Sequence, residues 1–216
     1  SKASKGQKLH WEPFGNTTTP TAFELVFIYK GIRYAYGYSF DDSRIYSEYL
    51  YHWPNGREAL IFSRENGKYE FRDNINEQIT LSNRTPDNKL YLVSSNDWNL
   101  PQTENAYKWF LEKLTFLMEE EPASSETVAQ IISGDERKAR ILKELLLADL
   151  GIVDVTVKNI AGNMPVVTTT HRILREDGTV DYFQLLMDQE SAGTQHFFAR
   201  IGGWLQALEN GALLVV

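Results

Sequence analysis

Glu190, Ser191, Gly193 and Thr194 belong to the one stretch of this 216-residue chain in which small, phosphate-tolerant residues sit directly ahead of a helical pattern. Behind them Phe197, Phe198, Ile201, Leu205 and Leu208 recur at helical spacing, which puts 191–194 at a helix N-terminus. That end of a helix offers unpaired N–H groups and a partial positive charge to an anion. A serine hydroxyl, together with a glycine that lets the backbone approach closely, completes a site for a terminal phosphate. The same residue types also make an ordinary cap, since Ser is a favoured N-cap and Gly a common turn residue. Taken alone, the octapeptide 188–195 supports both readings.

Other chemistry is sparse. The chain has no cysteine, which removes disulfides and thiolate metal ligands. The histidines, His10, His52, His171 and His196, stand singly, with no second His or carboxylate at metal spacing, so His171 reads as a strand residue and no metal site is expected. Glu119, Glu120 and Glu121 precede Pro122 at the end of a helical pattern, where a charge run reads as a solvated terminus.

Composition bounds the class. An apolar fraction of 42% with 24% charged residues describes a globular chain able to bury a core, as one domain or two small lobes. A formal net charge of −7 argues against a broadly basic nucleic-acid surface, although it leaves room for a local patch. No run approaches the length of a membrane span, and the polar, basic start carries no apolar signal segment. A cytoplasmic protein without membrane association is expected.

The elements that must position the candidate turn follow from periodicity. Residues 1–21 read as an irregular lead-in. From Ala22 the period becomes two, and strands are expected over 23–30, 33–40, 45–53, 59–62 and 69–71, separated by turns at Lys30-Gly31, Asp41-Asp42-Ser43, Pro54-Asn55-Gly56 and Glu65-Asn66-Gly67. This is an antiparallel meander, assigned to 22–100. Its many tyrosines suit cross-strand packing, with base stacking as the rival use. Residues 73–92 read as loops around a short apolar piece at 90–92, and 94–99 as a polar loop. A helical subdomain over 101–151 is expected to hold a helix capped by Thr103, a second from Ser124 to about Ile132, and a third over 136–150. Over 152–216 the pattern gives strands at 152–160, 166–174 and 180–187 with turns at Gly162-Asn163 and 175–178, then a helix over 195–208 ended by Gly211. The last apolar run, 212–216, reads as a fully buried strand of a parallel sheet. The fold class is α/β with α+β character.

In that order the pieces resemble the central part of an ABC-type AAA family ATPase, related to SMC and overcoming-lysogenization-defect proteins, of the kind found in bacterial phage defence and abortive infection. Three stretches carry the likeness. Residues 23–27, 36–40 and 48–51 are similar to the antiparallel arm that follows the family's phosphate-binding loop. Lys143 through Ile152 is similar to its helix-to-strand junction. Glu190-Ser191-Ala192-Gly193-Thr194 resembles its signature, and 207–216 is similar to the turn and strand that follow, up to the acidic pair.

The resemblance implies an ATP hydrolase that uses ATP and Mg2+ and dimerises, or assembles further, around nucleotide. Ser191, Gly193 and Thr194, with Glu190, would cap the γ-phosphate held by another subunit. Asp97 would stand where the family places a metal-contacting glutamine. An effector such as a nuclease is the expected partner. The departures are equally specific: no Gly-x-x-x-x-Gly-Lys-Ser/Thr loop occurs, and no Asp-Glu pair follows Val216. Catalytic residues are therefore expected outside these residues, which read as a piece of a longer chain or as a degenerate homologue. The alternative is a non-enzymatic protein-interaction domain.

Overall fold

Alternation of large apolar and polar residues drives the first half of the chain into strands. The computed structural model describes residues 6–15, 17–116, 124–148, 151–158 and 165–215. It divides into two compact units, Ser1–Glu112 and Lys113–Val216. Glu119 to Pro122, the Gly162-Asn163 turn, the 149–150 part of the helix-to-strand junction and Val216 lie outside the described residues.

The first unit is built on a five-stranded antiparallel meander in sequential order: β1 (Thr21–Tyr29), β2 (Ile32–Phe40), β3 (Ile45–Trp53), β4 (Ala59–Glu65) and β5 (Lys68–Phe71). The β1–β2 register pairs Tyr29 with Ile32, so Lys30 and Gly31 form the two-residue turn, both at positive φ as that tight hairpin requires. Three helices follow: α1 (Ile75–Ser82), α2 (Tyr91–Asp97) and α3 (Pro101–Lys113). The inward tyrosines are packing residues. Tyr34 and Tyr36 are buried, Phe27 stacks between Tyr34 and Trp109 of α3, and Tyr36 meets Phe110 edge-on. Tyr49 instead lies over Gly37 of the neighbouring strand and donates to Glu24 one strand further on. A Cβ on Gly37 would come within 2.5 Å of the Tyr49 ring.

Two segments differ from expectation. Residues 73–92 contain helix α1, and the polar stretch 94–99 belongs mostly to helix α2. Their polar composition hides them, because what stabilises them comes from elsewhere. Gln78 of α1 is buried and donates to the Asp73 carbonyl, while the N-terminus of α2 is held by a carboxylate from β3. Helix α3 starts at Pro101, a residue suited to a first helical position, and not behind a Thr103 cap. Thr103 is buried one turn in, bonded to Ser95 Oγ at 2.8 Å and to the Leu100 carbonyl.

The second unit combines an antiparallel sheet in the order β7 (Ile152–Lys158), β8 (Val166–Leu174), β9 (Val180–Leu186) with helices α4 (Ser124–Ser133), α5 (Asp135–Leu147) and α6 (Ala192–Asn210). Val128, Ile131, Ile141, Leu145, Ile152, Val155, Phe198 and Ile201 form its core. A parallel two-stranded pair, β6 (Leu114–Phe116) with β10 (Leu213–Val215), completes it. The mixed α/β content and antiparallel sheets agree with the expected class.

Burial of the last strand does not agree. Leu213 and Val215 remain about 40% exposed, since among the described residues β10 has one neighbouring strand where a buried parallel strand has two. The unit boundary also groups α3 with the meander, and not with α4 and α5.

Helices α4 and α6 approach as closely as backbones allow. The Thr127 hydroxyl donates to the Phe198 carbonyl at 2.8 Å and accepts from the Gly202 N–H at 3.0 Å. It thereby stands between two groups, four residues apart, that a regular helix joins directly. Gln130 Nε2 donates to the Gly202 carbonyl at 2.7 Å. The contact needs glycine, because a Cβ at 202 would lie 2.6 Å from the Thr127 backbone.

Candidate functional site

The turn before α6 is tied down by its own side chains. After β9 a 3-10 turn (Met187–Gln189) leads into Glu190 and Ser191, both extended, and α6 then runs for 19 residues to Gly211, which ends it in the left-handed conformation. Gln189 Oε1 accepts from the Leu186 N–H at 2.9 Å, and Gln195 Nε2 donates to the Glu190 carbonyl at 2.8 Å. These contacts satisfy the backbone on each side of the turn and fix the start of the helix.

Ser191 is the N-cap. Its Oγ accepts from the Thr194 N–H at 3.1 Å and lies 2.9 Å from Thr194 Oγ1. Thr194 is buried, so both of its polar groups are committed to the cap. Ala192 and Gly193 are exposed, and their N–H groups have no partner among the described residues. Ser191 Oγ is the nearest atom to a Cβ built on Gly193, at 3.8 Å, so space above this turn is open. The surface that could receive an anion therefore consists of the Ser191 hydroxyl and the N–H groups of Ala192 and Gly193. The start of a long helix adds its partial positive charge there.

Glu190 faces the other way. Its carboxylate oxygen Oε1 lies 2.6 Å from Nε2 of His171 on β8 and also accepts the hydroxyl of Thr169 on the same strand. The side chains are nearly closed off, with 12% of His171 and 6% of Glu190 accessible. Thr169 is wholly buried, and the His171 ring stacks on Phe183 of β9, with centroids 4.9 Å apart. Sequence periodicity places His171 on a strand but cannot pair it with a carboxylate 19 positions away. The β8–β9 register and the return of the chain through the 3-10 turn bring the two together.

Asp97 belongs to the first unit, at the last residue of α2, where Lys89 Nζ holds its carboxylate at 2.6 Å. Among the described residues, no group of three His, Asp or Glu side chains converges to hold a metal ion. Among the described residues, no helix is long and apolar enough to cross a membrane.

The first unit contains a second polar centre that sequence reading misses. Glu48 of β3 is fully buried and accepts from the Tyr91 N–H at 2.6 Å, the Leu92 N–H at 2.9 Å and the Tyr36 hydroxyl at 3.0 Å. Arg64, its cross-strand partner on β4, is equally buried and donates to the carbonyls of Lys89 and Asp87 at 2.9 and 3.1 Å. Burial pushes the Glu48 carboxyl above its ordinary range, against the pull of the Leu92 and Tyr91 N–H groups, the Tyr36 hydroxyl and Arg64. Apart from the Tyr36 hydroxyl on β2, the polar contacts of this pair go to residues 87–92, so it acts as a brace for that loop and helix start. A charged residue at an otherwise inward strand position is its sequence signal.

Comparison of the chain with protein-family models and with curated proteins gives no match.

Proposed function

We propose that the second unit contributes the signature segment of an ABC-type ATPase, in which the turn before α6 caps the terminal phosphate of a nucleotide held by another subunit. The observation that carries this reading is the open helix start: the Ser191 hydroxyl with unpartnered Ala192 and Gly193 N–H groups on an exposed, glycine-containing turn. Such donors fit phosphate oxygens, and because they are fixed before binding they stabilise charge without reorganising. Thr194, whose N–H is taken by Ser191, serves the cap and not the phosphate.

Bound ATP with Mg2+ would supply phosphoryl transfer to water. This chain's residues would orient the terminal phosphate and exclude water on one side, and Asp97 is the residue proposed to face the ion. ATP would then clamp a dimer, whose opening after hydrolysis controls an effector such as a nuclease in phage defence. Replacing Ser191 with Arg in the ATPase carrying this chain should abolish ATP-driven dimerisation. Unchanged dimerisation and turnover would sink the assignment.

A second reading is a protein-interaction module. It is favoured by an open, mainly apolar depression of about 450 Å³ along α5 and β7, lined by Ala139, Leu142, Lys143, Leu146, Leu147 and Val153. Adding a subunit with an intact phosphate-binding loop should restore nucleotide binding to this chain under the first reading alone.

A further inference from the structure

We propose that His171 is a positioning residue for the turn at 190–194, and that it acts by holding the Glu190 carboxylate away from the open helix start. The proposal rests on the reading of that turn as an anion site.

Glu190 is the residue immediately before the N-cap, two positions from the unpartnered N–H group of Ala192. Acidic side chains are stabilised at helix N-termini by the same donors and the same partial charge that attract a phosphate. A free Glu190 would therefore be an internal competitor for the site. The structure prevents this with three groups. His171 Nε2 lies 2.6 Å from Oε1, and since a carboxylate only accepts, the imidazole is the donor. Thr169 donates its hydroxyl to the same oxygen. Phe183 stacks on the imidazole and holds its plane. Gly151, at φ 69°, passes close to the other edge of the ring, since a Cβ there would lie 3.6 Å from Nδ1.

None of these residues touches the exposed face of the turn, so their effect on an anion runs through Glu190. The backbone gains as well. With the carboxylate drawn inward, Ser191 is left to make the cap bond to Thr194, and the two N–H groups between them stay open.

The test is amide-resolved NMR on the full 216-residue chain, with inorganic phosphate as the probe. Without phosphate, His171→Ala should slow exchange of the Ala192 and Gly193 amides as Glu190 engages them, while those of Phe198 and Ile201 keep their protection. The double variant His171→Ala/Glu190→Ala should return the two amides to fast exchange, a reversal that loss of packing would not produce. In the phosphate titration, wild type and the double variant should respond at Ala192 and Gly193, and His171→Ala should bind about fivefold more weakly, the scale of one charge at a helix end. His171→Gln, which keeps a donor, should behave as wild type.

If wild type shows no phosphate response, the anion-site reading fails, and the exchange experiment still decides whether the latch exists. Exchange at Ala192 and Gly193 that is the same in wild type and His171→Ala overturns the proposal. Should His171→Ala fail to fold, Glu190→Ala alone replaces it: retained phosphate binding supports the proposal, and lost binding overturns it by making Glu190 a ligand.

Discussion

The carboxylate of Glu48, in the middle of β3, accepts the backbone N–H of Tyr91 at 2.6 Å and so closes the first turn of a helix that begins 43 residues later. The neighbouring N–H of Leu92 takes the other oxygen. A short, serine-containing helix with no side-chain cap of its own is thereby held by a strand, and Tyr91 is fixed at the centre of an aromatic cluster with Phe62, Tyr69 and Phe71.

Removing that carboxylate should be expensive. Glu48→Ala leaves two helix N–H groups and the Tyr36 hydroxyl without their acceptor, and it removes the negative partner facing buried Arg64. A loss of about 3 kcal/mol is expected, from buried donors left without an acceptor. Glu48→Gln keeps the volume and one acceptor and should lose less. Urea unfolding followed by near-ultraviolet circular dichroism checks both, and a Glu48→Ala variant as stable as wild type would contradict the brace.

Asp41, in the turn between β2 and β3, titrates in the opposite sense to Glu48. Partial burial raises its pKa, but hydrogen bonds from the Ser43 hydroxyl, the Tyr46 hydroxyl and the N–H groups of Ser43 and Arg44 outweigh it and carry it down to about 2. A carboxyl lowered on folding adds stability that is present above its unfolded value of 3.8 and disappears as pH falls through about 2. Wild type should therefore exceed Asp41→Asn by about 1 kcal/mol at neutral pH. The gap should shrink below pH 4. Glu48, raised on folding, contributes most at low pH and less as pH rises. Denaturation midpoints measured from about pH 2 up through 3.8 to neutral separate the two.

At the α4–α6 crossing, Gly202→Ala should be among the most damaging methyl additions in the chain. The new Cβ meets backbone atoms of Thr127, which cannot rotate away, so the helices must separate. About 3 kcal/mol is expected from overpacking together with loss of the threonine bridge. Thr127→Val should cost about 2 kcal/mol by leaving the Phe198 carbonyl and Gly202 N–H without the hydroxyl, and Thr127→Ser less than 1 kcal/mol. Thermal denaturation of the three variants gives the order, and a Gly202→Ala variant that melts with wild type would refute the contact.

The sequence by itself determined the local elements whose stability is local. Two-residue alternation from Thr21 to Phe71 and positive-φ turns such as Lys30-Gly31 specify the meander strand by strand. The same holds for the hairpin of β8 and β9, and for α6 with its Ser191 start and Gly211 stop. In each case the side-chain period or the turn residue is itself the cause of the conformation.

Tertiary structure decided what depends on residues distant in sequence. Helices α1 and α2 look like loops because their polar residues are satisfied from outside, by a buried glutamine contact and by Glu48. Gly202 and Gly203 would weaken an isolated helix, yet Gly202 is required where Thr127 enters. The candidate turn divides along the same line. That Ser191 starts a helix was legible from its type and position. That Glu190 turns inward to His171, leaving Ala192 and Gly193 open, followed only from the register of β8 against β9, because a hydrogen bond between side chains 19 positions apart has no periodicity to announce it.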